Sequence, residues 1–318
     1  MRVKHIVEYA ALRAVVGVLG RLPYRAALGL MWGFAWIGHY IVRHRRAEAR
    51  RRIRAVLGAA VPEARVRRIA WISWRNLCFN AVEMARFPRL SDRWLERHTD
   101  FREMERGRDL QRAGRGAVVA VPHAGNWDLA GVVASRIGYP IFFIARRQKN
   151  PLADAWINRM RAATGARTVL NDAHLLRGVI RHLREGRFMA ILPDVRVRRG
   201  GIRVPFLNGV AYWGRGAAAF ARQAGVAVYP VICRREGWTR HVLQTFEAIA
   251  PDPSLDEDAD VERITRRVAE TLDRAILETP EQYFWYNKRW VLDPPDPPPG
   301  RSESRSIPRP PGPGESPP

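Results

Sequence analysis

His123-Ala-Gly-Asn-Trp-Asp128, directly behind the apolar run Ala117-Val-Val-Ala-Val121, decides the fold of this chain. The run reads as a buried strand, and Leu129-Ala-Gly-Val-Val-Ala134 behind the stretch reads as the start of a helix. Strand, turn and helix in that order form the repeating unit of an α/β sheet. The spacing leaves His123 at the strand end and puts Asp128 in the first helical turn. There its carboxylate can hydrogen-bond one ring nitrogen and leave the other to take a proton. The chemistry suggested is deprotonation of a hydroxyl. Taken alone, the pair also fits a helix-capping Asp beside an ordinary histidine.

Working outward, strand-like runs at residues 141–145, 188–192 and 226–233 alternate with helical stretches at 151–164, 173–185 and 213–224. A helix over 261–278, with Ile264, Val268, Leu272 and Ile276 on one face, closes the domain. The expected fold is α/β, a central mostly parallel or mixed sheet flanked by helices. Residues 47–106 read as helical, with Ile69, Ile72, Trp74 and Leu77 on a face that packs on the sheet or on lipid. The expected division is 1–46 as a membrane-anchor or interfacial helix region, 47–292 as the catalytic domain, and 293–318 as a disordered Pro-rich tail.

The amino-terminal assignment rests on residues 22–42, which are apolar apart from Arg25 and His39 and rich in Trp and Tyr. Arg43-His-Arg-Arg46 follows at once. The length is about that of a membrane span, and the basic flank marks the cytoplasmic side. No small-residue cleavage site follows, which argues against a signal peptide. The alternatives are a buried core helix or one lying in the membrane interface.

The net charge is +23, carried almost wholly by arginine, since only Lys4, Lys149 and Lys288 are lysines. Such a balance calls for an anionic partner. Nucleic acid is disfavoured because no helix-turn-helix, zinc finger or aromatic RNA-binding motif accompanies the charge. Cys78 and Cys233 form neither a metal-ligand spacing nor a disulfide framework, and the eight histidines are scattered, so no metal and no cofactor are expected.

The His-Ala-Gly-Asn-Trp-Asp wording resembles the bacterial lipid A lauroyl/myristoyl acyltransferases and their relatives that acylate phosphatidylinositol mannosides, a branch of the His-x4-Asp/Glu acyltransferase superfamily. Three later segments fall in the order that branch requires. They are Ile141-Phe-Phe-Ile-Ala-Arg-Arg-Gln-Lys-Asn-Pro151, then Phe188-Met-Ala-Ile-Leu-Pro-Asp194 with Val204-Pro-Phe206, and finally Pro280-Glu-Gln-Tyr-Phe-Trp-Tyr-Asn-Lys-Arg-Trp290. Two positions depart from the lipid A enzymes, which usually carry Glu where Asp128 stands and often an acid where Arg196 stands. The first change keeps a carboxylate; the second bears on which head group is welcome.

With that resemblance, His123 is the expected general base and Asp128 its orienter. No serine or cysteine lies beside His123, which favours direct attack by an acceptor hydroxyl over an acyl-enzyme. Gly125 and Asn126 form a turn that either approaches substrate or serves geometry alone, and the amides opening the next helix are candidates to steady negative charge. Arg146 or its neighbour Arg147 is expected to hold a phosphate of acceptor or donor, only one of them facing the site. Asp194, after a buried-looking strand, is expected to bind acceptor hydroxyls or a site arginine. Arg196, Arg198, Arg199 and Arg203 read as a basic loop suited to anionic head groups or as a solvated charge run. Tyr283, Phe284, Trp285, Tyr286 and Trp290 read as core.

The resemblance implies a membrane-associated O-acyltransferase at the cytoplasmic face of the bacterial inner membrane. It would move a fatty acyl chain from acyl-carrier protein or acyl-coenzyme A to a hydroxyl of an anionic glycolipid such as a lipid A precursor. Phosphatidylinositol mannoside or a lysophospholipid is the alternative acceptor. A non-catalytic basic protein that binds lipid or nucleic acid is the alternative of another class.

Overall fold

The computed structural model describes residues 3–145, 149–170, 175–197 and 200–292. Two helices open the chain, α1 (Val3–Arg21) and α2 (Tyr24–Trp36), the latter running into a π-helical turn over Ile37–Ile41. Next come α3 (Arg46–Leu57), α4 (Glu63–Arg86) and α5 (Asp92–His98), whose first turn is capped by the Ser91 hydroxyl. The α/β region then runs through β1 (Thr99–Asp100), α6 (Arg108–Arg112), β2 (Ala117–Ala120), α7 (Trp127–Arg136), β3 (Ile141–Ala145), α8 (Pro151–Ala162), β4 (Arg167–Leu170), α9 (Leu175–Arg184) and β5 (Phe188–Ile191). A hairpin of β6 (Ile202–Phe206) and β7 (Gly209–Trp213) leads to α10 (Gly216–Ala224), β8 (Val228–Glu236), β9 (Arg240–Thr245) and α11 (Glu257–Glu278).

The main sheet has the order β1-β9-β8-β2-β5-β3-β4. All its pairs are parallel except β8 with β9, so the sheet is mixed but mostly parallel, as expected. Successive side chains alternate between its faces, and the two faces have different fates. Val118, Ala120, Phe142, Met189, Val228 and Ile232 pack into a dense core with Val179 and Leu183 of α9, the alanines of α10 and the apolar stripe of α11. Val119, Phe143, Ala190 and Tyr229 point the other way, toward α7 and α8, and line a cavity.

The helix expected from residue 213 begins later. Trp213 ends β7, paired with Ile202 and fully buried, because Val210-Ala-Tyr-Trp213 continues a strand alternation until Gly214 breaks it. Residues 22–42 also behave differently from a spanning segment. Ala27, Leu28 and Ala35 of α2 are buried, the first two clustering with Phe79 and Val82 of α4. Leu30, Trp32, Phe34, Trp36, Tyr40, Ile41 and Val42 remain exposed. Among the described residues no helix is long and apolar enough to cross a membrane. Thirteen residues in α2 fall short of the roughly 20 a span needs, and one face is already spent on protein. Residues 293–318, the expected tail, lie outside the described residues.

Candidate active site

Because β2 and β5 are parallel neighbours, the segments that follow them leave the carboxyl edge of the sheet side by side, where α/β folds open their crevices. Val121 extends the ladder by one bond to Ile191 O, and His123 and Asp194 then meet. Asp194 Oδ2 accepts the His123 backbone N–H at 2.8 Å, and Oδ1 takes the ring Nδ1 at 2.9 Å. The Asp194 side chain is wholly buried, and burial together with its charge raises the pKa of the Tyr283 phenol. A carboxylate only accepts, so the imidazole proton sits on Nδ1 and the Nε2 lone pair is the basic one. Nε2 has no protein partner among the described residues, and the ring stays 20% exposed.

Burial works against a charged imidazole, but the carboxylate of Asp194 outweighs it, assisted by its hydrogen bond and by the charge of Asp128, so the pKa of His123 is raised. The orienting role expected of Asp128 is therefore made by Asp194, 71 positions away in sequence. Asp128 lines the cavity beside the ring and acts on it through charge. The acceptor-binding role expected of Asp194 is corrected accordingly, since both its oxygens are committed inward. Trp127 meets the His123 ring edge-on at 5.2 Å and fixes its other side.

The turn between His123 and Asp128 is clamped from behind. Gly125 has φ +60°, and a Cβ there would sit 1.7 Å from the carbonyl oxygen of Cys233, so only glycine fits. Its N–H donates to Gln282 O at 2.8 Å, and its own carbonyl accepts Asn80 Nδ2 at 2.7 Å. The Asn126 N–H donates to Cys233 O. The Asn126 side chain is buried, with Oδ1 capping α7 through Leu129 N–H at 3.0 Å and Nδ2 donating to Glu83. Of the two roles left open for Gly125 and Asn126, these contacts fit the geometric one: both residues hold the turn. Of the donors considered for the oxyanion, the opening of α7 at Trp127 remains, at the positive end of the helix dipole.

The closing segment supplies the clamp. Phe284 N–H donates to His123 O at 2.8 Å, Gln282 brackets Arg235 with two side-chain hydrogen bonds of 3.0 Å, and Ser73 of α4 holds Tyr283 O. Tyr283, Trp285, Tyr286 and Trp290 are buried in this seam. Arg52, also buried, donates to Trp285 O and Asn287 O.

His123 and Asp128 stand on the wall of an apolar cavity of about 730 Å³, within the range of small-molecule sites. Phe143, Trp156, Met160, Phe188 and Leu243 are among its walls. Arg289 also lines it, exposed and with no ion pair among the described residues, a site residue that the sequence does not single out by type. It stood in the quoted closing motif, which was the available signal. Arg146, Arg147, Arg198 and Arg199 lie outside the described residues.

A histidine hydrogen-bonded to a buried carboxylate, set at an apolar cavity on the carboxyl edge of an α/β sheet, is an arrangement able to take a proton from a hydroxyl beside a bound apolar group. Comparison with known proteins makes this specific. The family model described as bacterial lipid A biosynthesis acyltransferase matches residues 2–291, and the chain belongs to that family. It is an acyltransferase. It is 26% identical over 217 residues to a phosphatidylinositol mannoside acyltransferase of Mycolicibacterium smegmatis, covering 66% of this chain and 68% of the relative. A Mycobacterium tuberculosis protein of the same name is 27% identical over 267 residues, 80% of each chain. The lipid A biosynthesis lauroyltransferase of Escherichia coli is 27% identical over 205 residues, 64% of this chain and 65% of the relative.

Proposed function

We propose that this protein transfers a fatty acyl chain from a carrier thioester to a hydroxyl of an anionic glycolipid, working on the cytoplasmic face of the bacterial inner membrane. The observation that carries the reading is the His123–Asp194 pair beside the apolar cavity. The acceptor hydroxyl gives its proton to His123 Nε2 as its oxygen attacks the thioester carbonyl. The tetrahedral oxyanion forms near the opening of α7. It collapses with loss of thiolate, which takes the proton back from the imidazolium. An ester is formed, a thioester is broken, and a free thiol leaves.

The apolar cavity suits the acyl chain, and Arg289 suits a phosphate of the donor arm or the acceptor head group. Arg146 and Arg147 keep the same role on the family resemblance alone. The exposed apolar face of α2 and its π-helical turn, with Arg43 and Arg45 beside it, suits a helix lying in an anionic interface. A lipid A precursor is the acceptor the family's description suggests. The longer match to the phosphatidylinositol mannoside enzymes favours a mannosylated phospholipid as the second reading.

The test incubates the purified protein with labelled palmitoyl-coenzyme A or palmitoyl acyl-carrier protein and either acceptor, followed by mass spectrometry of the lipids. A new acyl ester that is absent with His123→Ala is the expected result. Product formation by a well-folded His123→Ala protein overturns the mechanism.

A further inference from the structure

Behind the catalytic turn lies a charged cluster that the chemistry above does not use. Glu83 of α4 is fully buried. Arg235 of β8 grips it two-pronged, with Nη1 to Oε1 and Nη2 to Oε2 both at 2.6 Å. His241 Nε2 of β9 lies 3.1 Å from Oε1, and the Tyr24 hydroxyl of α2 donates to the same oxygen at 2.5 Å. Asn126 Nδ2 donates to Oε2. A second path runs from Arg235 Nη2 to Asn80 Oδ1 at 2.8 Å, and from Asn80 Nδ2 to Gly125 O at 2.7 Å. Glu83 therefore reaches both Asn126 and Gly125, two of the three residues between the catalytic histidine and its helix.

A buried ion pair is a poor way to gain stability, because packed apolar side chains of the same volume serve as well or better. What it offers instead is direction. Each carboxylate oxygen here is claimed by donors from different elements, so the geometry has little freedom. The Asn126 amide has two ends. Oδ1 caps α7 and Nδ2 is held by Glu83, which leaves the cap a single orientation.

We propose that Glu83 is a positioning residue for acyl transfer. Through Asn126, and through Arg235 and Asn80 on Gly125, it fixes the turn that aims His123 into the cavity and the first turn of α7 that carries Asp128. Tyr24 brings α2, the helix with the exposed apolar face, into the same network. The inference rests on His123 as the base.

The test uses the full chain and reads thiol release from palmitoyl-coenzyme A, or from palmitoyl acyl-carrier protein, in micelles containing total bacterial lipid extract. Asn126→Ser keeps a capping oxygen but cuts the link to Glu83. It is expected to lower kcat tenfold to a hundredfold, with the donor KM within twofold and the melting temperature within a few degrees of the parent. Glu83→Gln is expected to lower kcat similarly. If Glu83 acts through Asn126, the double variant falls no further than the worse single one. Should Glu83→Gln fail to fold, Asn126→Ser alone decides the matter. A folded Asn126→Ser protein with parental kcat overturns the proposal, and so do fully additive losses in the double variant. If His123→Ala is itself active, it is the mechanism that fails; if His123→Ala is inactive and Asn126→Ser is not, only the positioning role falls.

Discussion

At His123 the balance of burial against two carboxylates sets the working pH. The raised pKa means that the neutral, basic imidazole is lost as pH falls through a value above the ordinary histidine figure of about 6.5, and kcat/KM should fall with it. Removing the Asp194 charge takes away the main support of the imidazolium, so in Asp194→Asn the acid limb should move to lower pH. The same amide can donate to Nδ1 and put the ring proton on Nε2, so kcat should drop about a hundredfold to ten-thousandfold. Asp128→Asn should shift the limb the same way with a smaller loss, since Asp128 acts through charge. A pH–rate profile of the three proteins checks this, and an unmoved limb with parental kcat in Asp194→Asn rules out the assigned pair. The position of His123 at the strand end, which lies beside the cavity, was legible in sequence. Its partner was not, because spacing shows only neighbours along the chain, while Asp194 arrives from the adjacent strand through the β2–β5 register.

Four strands and most helices of the α/β region were legible, while β1, β4, β6, β7 and β9 were not read, and the run at 226–233 began two residues before β8 and stopped three short of its end. Residues 141–145 were placed at their observed bounds, and the runs at 117–121 and 188–192 were each one residue too long, because such buried parallel strands are short apolar runs with few rivals. The helix at 213 was misplaced because a Val-Ala-Tyr-Trp strand followed by Gly216-Ala-Ala-Ala219 shares its composition with one long helix. Residues 22–42 were legible as apolar but not as packed: hydrophobicity records how apolar a segment is, not that part of it faces α4. That split makes a prediction. Phe34 and Trp36 are 59% and 41% exposed, so Phe34→Asp with Trp36→Asp should leave the fold intact yet remove most binding to phospholipid vesicles. Flotation of the variant beside the parent measures it, and undiminished binding would remove α2 from the membrane contact.

Across the whole molecule the +23 charge acts at longer range than any of these contacts. Attraction to an anionic bilayer is screened over about 10 Å at 0.1 M salt, whereas apolar insertion is not. Binding to anionic vesicles should therefore weaken several-fold between about 0.05 and 0.5 M salt, and binding to neutral vesicles should hardly change; co-sedimentation across that series distinguishes the two forces. At the same scale lies the seam in which Phe284 and Gln282 grip the histidine turn. Translation delivers His123 early, Asp194 later and this seam after every strand of the sheet. A chain cut before residue 280 would keep His123 and Asp194 but lose the backbone contacts from Gln282 and Phe284 that clamp the histidine turn.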